Sequence, residues 1–451
     1  MAPSGAARAI PACLLALFLC SAILTSAVVP PWQGPDEPTH YVLAHALALP
    51  EVRTAPLVTL AGRTLVTTVE HDLQRATLAS MARYRWWESY GSSRPPDPLP
   101  TLFVDASKRL GTGTYVQPLY YGLAALVVRG VPAADVDRGY WRLRLLSIAL
   151  CATALMLGWA GTRLLFGSEV AAGATLLAAL LPQFLLTAIS VNSDALLILL
   201  GAVLWWQGAR LVTGHSRGLA LLIVLIVAMA ALLTKRNAVP LLGIAILVAA
   251  AGSLRPGTWL LRHVLVVAGA AAGTLVIAWT LFDIVRTPLL VFLTNALNIR
   301  RVAGTTTLLH LIDFGRISVD FAWLIGGWQR FPAPEPWLWV ARILTIAGFG
   351  GAMFVTFRSA SSLRRSLSFA WVFVVIHCGM VLGLSFWTLQ APQGRYLFPV
   401  IAPAAALVWV GMTRLGPPRF RPYVAPALVG VVAVLNVTAF TATLMPAYLP
   451  W

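Results

Sequence analysis

A run of proline, acidic, histidine and aromatic residues directly follows the first apolar segment, as Pro35-Asp36-Glu37-Pro38-Thr39-His40-Tyr41. Pro38 sets φ for the first turn of a new helix, so either Asp36 or Glu37 falls at the helix N-cap. Capping alone explains one of the two acids. The alternative is a rigidly mounted carboxylate at the mouth of a membrane cavity, where it acts as a general base toward a hydroxyl group.

Other polar residues stand at the ends of later apolar segments: Asp194, Lys235, Arg236, Gln393, Arg395 and Tyr396. Cations suit a phosphate or diphosphate, and aromatic faces suit sugar rings and prenyl chains. Each of these residues also has a simpler explanation. Asp194 can cap the next helix, Lys235 and Arg236 can mark an ordinary span end, and Arg395 can reach the membrane interface from within a span.

The composition is that of a polytopic membrane protein. Of 451 residues, 59% are hydrophobic and 11% are charged, whereas soluble domains carry about 25% charged residues. The net charge of +17 comes largely from arginines in short loops, which orient spans and meet anionic lipids, so we expect no nucleic-acid partner. All four cysteines lie in apolar runs, which predicts neither a disulfide nor a cysteine metal site.

About eleven apolar runs are long enough to span a membrane. They lie near residues 10–29, 144–165, 170–191, 195–213, 218–234, 238–254, 263–282, 337–357, 367–389, 396–414 and 423–446. The first run follows Arg8 and is longer than the apolar core of a usual signal peptide, so we interpret it as a retained span. No soluble domain is apparent, so we expect residues 1–451 to form a single membrane domain.

The basic loops predict which side of the membrane each segment faces. Arginines at 358–365 and 414–421 mark cytoplasmic loops. Counting spans backward from there makes 31–142 and 283–336 external, so the short apolar stretch 115–131 lies on the membrane without crossing it. Of the 16 acidic residues, only Glu169 then falls on the cytoplasmic side. This asymmetry indicates polar chemistry at the outer face.

Several motifs together resemble the GT-C superfamily, polytopic glycosyltransferases that use polyprenyl-phosphate-linked sugars. Within that group, the chain resembles a bacterial membrane-protein family of unknown function. The motifs occur in order as residues 35–41, Gln117–Tyr121, Trp141–Ser147, Leu233–Arg236, Trp323–Phe331 and Gln393–Tyr396. Gln117 stands where a histidine is usual, and Arg236 stands where a small residue is usual. The resemblance implies that Asp36 is the base and that the first external loop holds juxtamembrane helices. Some relatives bind a divalent metal and others do not, so the metal requirement stays open.

The sequence therefore predicts an all-α, GT-C-like enzyme of about eleven spans in the bacterial inner membrane, with its active site outside. It would transfer a sugar, with inversion, from a polyprenyl phosphate to an extracytoplasmic glycan, lipid or protein. Asp36 and Glu37 are the predicted catalytic residues. The predicted substrate-binding residues are His40, Tyr120, Tyr121, Asp194, Lys235, Arg236, Gln393, Arg395 and Tyr396.

Two other classes of function remain as alternatives. A transporter or flippase of lipid-linked sugars should carry charges near span centres and a repeat with broken helices. In this sequence the charges collect at one face, which favours the enzyme. A catalytically silent scaffold is the second alternative, and the ordered motifs argue against it.

Overall fold

The computed structural model describes residues 5–49, 68–89, 118–215, 218–235, 238–253, 308–326, 330–387 and 393–449. These residues are almost entirely helical, which confirms the all-α class. The helices are α1 (Gly5–Val28), α2 (Glu37–Ala48), α3 (Thr68–Arg83), α4 (Trp86–Ser89), α5 (Pro118–Val128), α6 (Val136–Phe166), α7 (Ser168–Ala179), α8 (Pro182–Ile189), α9 (Asp194–Val212), α10 (Gly218–Leu232), α11 (Val239–Ser253), α12 (Leu308–Trp323), α13 (Glu335–Arg358), α14 (Ser361–Trp387), α15 (Ile401–Leu415), α16 (Arg421–Ala439) and α17 (Met445–Tyr448).

Short elements connect or extend several of these helices. A 3₁₀-helix, Gly394–Val400, leads into α15, and a second, Pro418–Phe420, leads into α16. A π-helical turn, Phe440–Leu444, joins α16 to α17. Strands β1 (Ile325–Gly326) and β2 (Phe331–Pro332) pair antiparallel within the second predicted external insert.

Seven helices among the described residues are long and apolar enough to cross a membrane, and the bent pair α7–α8 makes eight if it is one span. The protein is therefore a multi-pass membrane protein. The prediction of eleven spans is not confirmed, because α10 and α11 have 15 residues each and the predicted span 263–282 lies outside the described residues. The run at 170–191 is bent by 66°, at the point where Pro182 starts α8.

The core of the fold is built from helices that pack along one another. α6 lies along α9, and α13 lies along α15. At the second contact a methyl group on Gly411 would collide with the backbone of Gly348, and one on Gly351 would collide with the backbone of Gly411. Small residues allow helices in a membrane to approach this closely.

The first predicted external segment, 31–142, contains the helices α2 to α5, whereas their juxtamembrane, external position stays a prediction. α2 packs against α5, and α3 packs against α2 and α6. The stretch 115–131 forms α5, which has only 11 residues. That α5 lies on the membrane surface stays a prediction.

Residues from the second predicted insert are fixed to the membrane domain by a buried arginine. Arg342 of α13 donates to both carboxylate oxygens of Asp320 on α12, from Nε at 2.7 Å and from Nη2 at 2.8 Å. Two parallel charged hydrogen bonds of this kind fix geometry as well as adding binding energy. α12 also packs against the Gly394–Val400 turn, which carries part of the candidate site.

Candidate active site

Asp36 occupies the N-cap position of α2, but its side chain does not cap the helix. Its backbone is left-handed, with φ of 62°, and among the described residues its carboxylate makes no capping hydrogen bond. Trp32, four residues earlier, also has a positive φ of 74°. Non-glycine residues with positive φ are uncommon, and they concentrate at functional sites where the surroundings hold them in place. The strained turn directs the Asp36 carboxylate toward Arg395.

Asp36 begins a chain of ion pairs that we call the charge relay: Asp36, Arg395, Asp194 and Lys235. Arg395 Nη2 donates to Asp36 Oδ2 at 3.0 Å, and Arg395 Nε lies 3.4 Å from Asp194 Oδ2. Lys235 Nζ donates to the other oxygen of Asp194. The side chains of Asp194 and Arg395 are 2% and 5% exposed, whereas Asp36 is 29% exposed. Asp36 is therefore the end of the relay that a substrate can reach.

Each member of the charge relay stands at the end of a helix. Asp36 precedes α2, Asp194 begins α9, Lys235 follows α10, and Arg395 lies in the turn before α15. Asn192 shapes the start of α9, because its Oδ1 accepts from the backbone N–H of Asp194 at 2.9 Å. The four helix ends therefore converge, as expected for residues on one side of a membrane domain.

Aromatic side chains border the relay on one side. Lys235 Nζ lies 4.6 Å from the ring centroid of Tyr396, a distance at which the ring face attracts a cation. His40 stacks on Tyr121 and shares a hydrogen bond of 2.6 Å with its hydroxyl group. Tyr120, fully buried, meets His40 edge-on. The backbone N–H of Leu119 donates to Leu233 O at 3.0 Å, which ties this aromatic group to the segment carrying Lys235.

The electrostatic surroundings keep His40 neutral. Burial lowers its pKa to about 4, against the opposing pull of Asp36, while Lys235 and Arg395 act in the same direction as burial. The imidazole is then unprotonated at pH 7. Among the described residues its Nε2 has no hydrogen-bond partner, so this nitrogen is open to a ligand.

Glu37 points away from the relay into a closed interior. It is fully buried, and its Oε1 accepts from Tyr140 Oη and from the Val191 backbone N–H, both at 2.8 Å. Its Oε2 accepts from the Gly34 backbone N–H at 2.7 Å. Burial raises its pKa, and the nearby Arg144 counteracts that shift. Glu37 thus ties the loop before Asp36 to the loop before Asp194.

The tight fit around Glu37 explains Gly34. A side chain at Gly34 would collide with Ser190 and with the Glu37 carboxylate itself. Arg144, 1% exposed, donates to the carbonyl oxygens of Ser26 and Val29 at the end of α1. The result is a rigid frame behind the exposed Asp36.

Most of the predicted substrate-binding residues lie together. Asp194, Lys235, Gln393, Arg395 and Tyr396 surround the relay, since Gln393 Oε1 accepts from Arg395 Nε at 2.7 Å, and His40, Tyr120 and Tyr121 form the aromatic border. The predicted residue Arg236 lies outside the described residues. The predicted catalytic acid Glu37 is present, but the structure places it behind the site rather than in it.

Sequence reasoning missed several residues that shape the site. His377 lies inside a span, and its Nε2 donates to the Tyr396 backbone carbonyl at 2.8 Å. Tyr140 and Gln183 were also missed. Gln183 Oε1 accepts from the Ile325 backbone N–H at 2.9 Å. A lone polar side chain inside an apolar run was the only signal available for His377 and Gln183.

The acids of the site do not fit a divalent metal. Among the described residues, no three His, Cys, Asp or Glu side chains are grouped as a metal site. The acids nearest to one another already have cationic neighbours: Asp36 with Arg395, Asp194 with Lys235, and Glu37 with Arg144. A metal ion would have to displace these cations, so we propose no metal-dependent step.

Comparison with known proteins finds a similarity in sequence over part of the chain and a similarity in fold. Residues 134–282, less than half of the chain, match a family model described as dolichyl-phosphate-mannose-protein mannosyltransferase. That stretch contains Asp194 and Lys235 but neither Asp36 nor Arg395. Among curated proteins, none matches the chain significantly.

Solved structures of the oligosaccharyltransferase of Archaeoglobus fulgidus resemble this chain. The apo crystal structure aligns with a TM-score of 0.52 at 12% identity, covering 97% of this chain and 56% of that one. The AglB structure in complex with an inhibitory peptide and a dolichol-phosphate aligns at 0.49 and 14% identity, covering 94% and 55%. The fold assignment relies on the first of these.

The chain thus spans little more than half the length of these structures, and the likeness concerns its fold. This multi-pass membrane protein therefore resembles the archaeal oligosaccharyltransferase in its fold, and its residues 134–282 match the mannosyltransferase family model.

Proposed function

We propose that the protein is a glycosyltransferase that moves a sugar from a polyprenyl phosphate to an extracytoplasmic acceptor. The proposal rests on the different surroundings of the two carboxylate oxygens of Asp36. Its Oδ2 is bound by Arg395, while its Oδ1 accepts no hydrogen bond among the described residues. A fixed carboxylate with one free oxygen is what a general base needs, because proton transfer requires hydrogen-bond reach to the acceptor hydroxyl.

The reaction follows from these positions. Asp36 takes the proton of the acceptor hydroxyl while that oxygen forms a bond to the anomeric carbon. The bond between the anomeric carbon and the phosphate oxygen breaks, and the electron pair leaves with the polyprenyl phosphate. Attack from the face opposite the phosphate inverts the anomeric centre.

The cations and aromatic residues beside Asp36 suit the donor. Lys235, with its side chain 15% exposed, would stabilise the phosphate charge as it develops. Tyr396 and the His40–Tyr121 pair offer faces for the sugar or the first prenyl units. The family model that matches residues 134–282 describes enzymes named for a dolichyl-phosphate-mannose donor, which is the same class of donor. We place the active site on the extracytoplasmic side of a bacterial inner membrane, following the basic-loop count.

A conversion assay in detergent micelles separates this proposal from a lipid flippase. We expect the purified protein to release polyprenyl phosphate from a synthetic polyprenyl-phosphate sugar and to form a new glycosidic bond. Micelles have no two compartments, so a flippase would leave the lipid chemically unchanged. A donor that stays intact with every extracytoplasmic acceptor fraction, while the protein is folded and binds that donor, would contradict the proposal.

A further inference from the structure

A cleft lies beside the charge relay, away from its aromatic border. It is lined by the loop Gln33–Pro35, by α8, by Gln393–Arg395 and by Arg144. Neither Lys235 nor the aromatic residues Tyr396, His40 and Tyr121 line it. The cleft and the aromatic border therefore flank the Asp36–Arg395 pair from different sides. We call this the amide cleft, after the four amide side chains among its described lining residues, Gln33, Gln183, Asn192 and Gln393.

Three of these amides, Gln183, Asn192 and Gln393, have the same orientation: the oxygen of each accepts a hydrogen bond from the protein. Gln183 Oε1 accepts from the Ile325 backbone N–H, Asn192 Oδ1 accepts from the Asp194 backbone N–H, and Gln393 Oε1 accepts from Arg395 Nε. Each partner is an obligate donor, so each amide must use its oxygen there. The three NH₂ groups are left without a partner in the described part of the chain. Asn192 is 1% exposed, and its Nδ2 is buried and unpaired.

A buried, unpaired amide NH₂ costs free energy unless a ligand or water accepts from it. Two hydroxyl groups add acceptors to the same wall. Ser190 Oγ donates to Leu186 O at 2.7 Å, and Thr187 Oγ1 donates to Gln183 O at 2.9 Å. Their oxygen lone pairs remain for a ligand. The amide cleft thus presents both donors and acceptors, which is the combination that a sugar hydroxyl can satisfy.

The charges around the cleft favour a neutral ligand over a phosphate. No carboxylate lines it among the described residues. Its two cations are already balanced, since Arg395 pairs with Asp36 and Asp194, and Arg144 lies against the charge of Glu37. No cation is left over in the cleft to balance an anionic ligand.

We propose that the amide cleft binds a neutral carbohydrate acceptor, held by the NH₂ groups of Gln183, Asn192 and Gln393. The acceptor hydroxyl that reacts would lie at the end of the cleft where Arg395 meets Asp36. This inference rests on the proposed function and narrows its acceptor to a glycan. A peptide acceptor and an anion site are the competing outcomes of the test.

The test uses variants of two of these amides, Gln183 and Asn192, that change only the free end of the side chain. Gln183→Glu keeps the oxygen that accepts from Ile325, and Asn192→Asp keeps the oxygen that accepts from Asp194. In both variants an oxygen replaces the NH₂ donor. Gln207→Glu is the matched control, because Gln207 lies near the far end of α9 and its oxygen accepts from Arg210.

Binding is measured by saturation-transfer NMR on the purified protein in detergent. The probes are neutral trisaccharides of mannose, galactose and glucose, a threonine-containing hexapeptide, and inorganic phosphate. We expect at least one trisaccharide to bind, with affinity lowered about tenfold by Gln183→Glu and by Asn192→Asp, and unchanged in Gln207→Glu. Trisaccharide binding that ignores both variants, or no trisaccharide binding at all, overturns the proposal. Binding of the peptide or phosphate that is sensitive to both variants also overturns it.

The binding measurement does not depend on turnover, so the two claims can fail separately. Asp36→Asn should leave trisaccharide binding intact while abolishing transfer. If wild-type protein binds a trisaccharide in the amide cleft but never transfers a sugar, the catalytic proposal fails and the cleft assignment survives. If transfer proceeds but neither amide variant changes the apparent KM for a glycan acceptor, the cleft assignment fails alone.

Discussion

The adjacent acids Asp36 and Glu37 have different roles because the turn before α2 orients their side chains in different directions. Asp36 keeps 29% of its side chain exposed and is held by Arg395. Glu37 is fully buried and accepts three hydrogen bonds, from Gly34, Tyr140 and Val191. We therefore assign Glu37 to positioning: it holds together the two loops that carry the relay acids.

The Glu37→Gln variant tests this assignment through stability. Glutamine offers one acceptor oxygen for three donors and leaves Arg144 without its opposing charge, so the free energy of unfolding should fall by about 3 kcal/mol. We expect a clearly lower apparent melting temperature in detergent, whereas Asp36→Asn should shift it little. Glu88→Gln is the control, because Glu88 forms an exposed i,i+3 pair with Arg85. An unchanged melting temperature for Glu37→Gln would show that its hydrogen bonds do not support the fold.

The roles of these two acids could be predicted only in part from the sequence. The motif and its prolines place both acids at the start of α2. They do not reveal which acid is buried, because two of the three partners of Glu37 lie 103 and 154 positions away. Asp36 likewise meets Arg395 across 359 positions. Charge pairing across such separations depends on how the helices pack, which local spacing does not encode.

At the scale of helices, the site lies where the ends of four helices come together. The starts of α2, α9 and α15 and the end of α10 bring their polar residues together. The basic-loop count had placed these four ends on one face, and the contacts between Asp36, Arg395, Asp194 and Lys235 agree with that grouping. A proline also marks the bend between α7 and α8. Pro182 begins α8 after a bend of 66°, and the bend places Gln183 at the amide cleft.

The position of α5 relative to the membrane gives a prediction at this scale. Cysteines are placed at Arg85, before α5, and at Arg138, after it, in a background where the four native cysteines are replaced. Both Arg85→Cys and Arg138→Cys should react with an impermeant maleimide in intact cells, because α5 is too short to span. Arg414→Cys, on a predicted cytoplasmic loop, should react only after permeabilisation. Protection of Arg138→Cys alone would mean that α5 crosses.

At the scale of the whole molecule, hydropathy was sufficient for the class of fold and for most of the long helices. It was less informative about α10 and α11, which at 15 residues each are shorter than the roughly 20 residues a span needs. Hydropathy also says nothing about which polar side chains face one another. The site holds three acids and three cations of opposite charge: Asp36, Asp194 and Glu37 with Lys235, Arg395 and Arg144. Because these charges balance, they can lie together inside an apolar protein.

The central claim is that Asp36 is the base in sugar transfer, and the Asp36→Asn variant tests it most directly. Asparagine has nearly the same shape but cannot accept the proton, and loss of general-base catalysis costs about 10²- to 10⁴-fold in rate. The measurement is the rate of sugar transfer from a synthetic polyprenyl-phosphate donor by the purified variant. Asp72→Asn, which alters an exposed acid paired with Arg75, serves as the control. The account predicts a fall of about 10² or more for Asp36→Asn, with donor binding and melting temperature retained; transfer near the wild-type rate would contradict it.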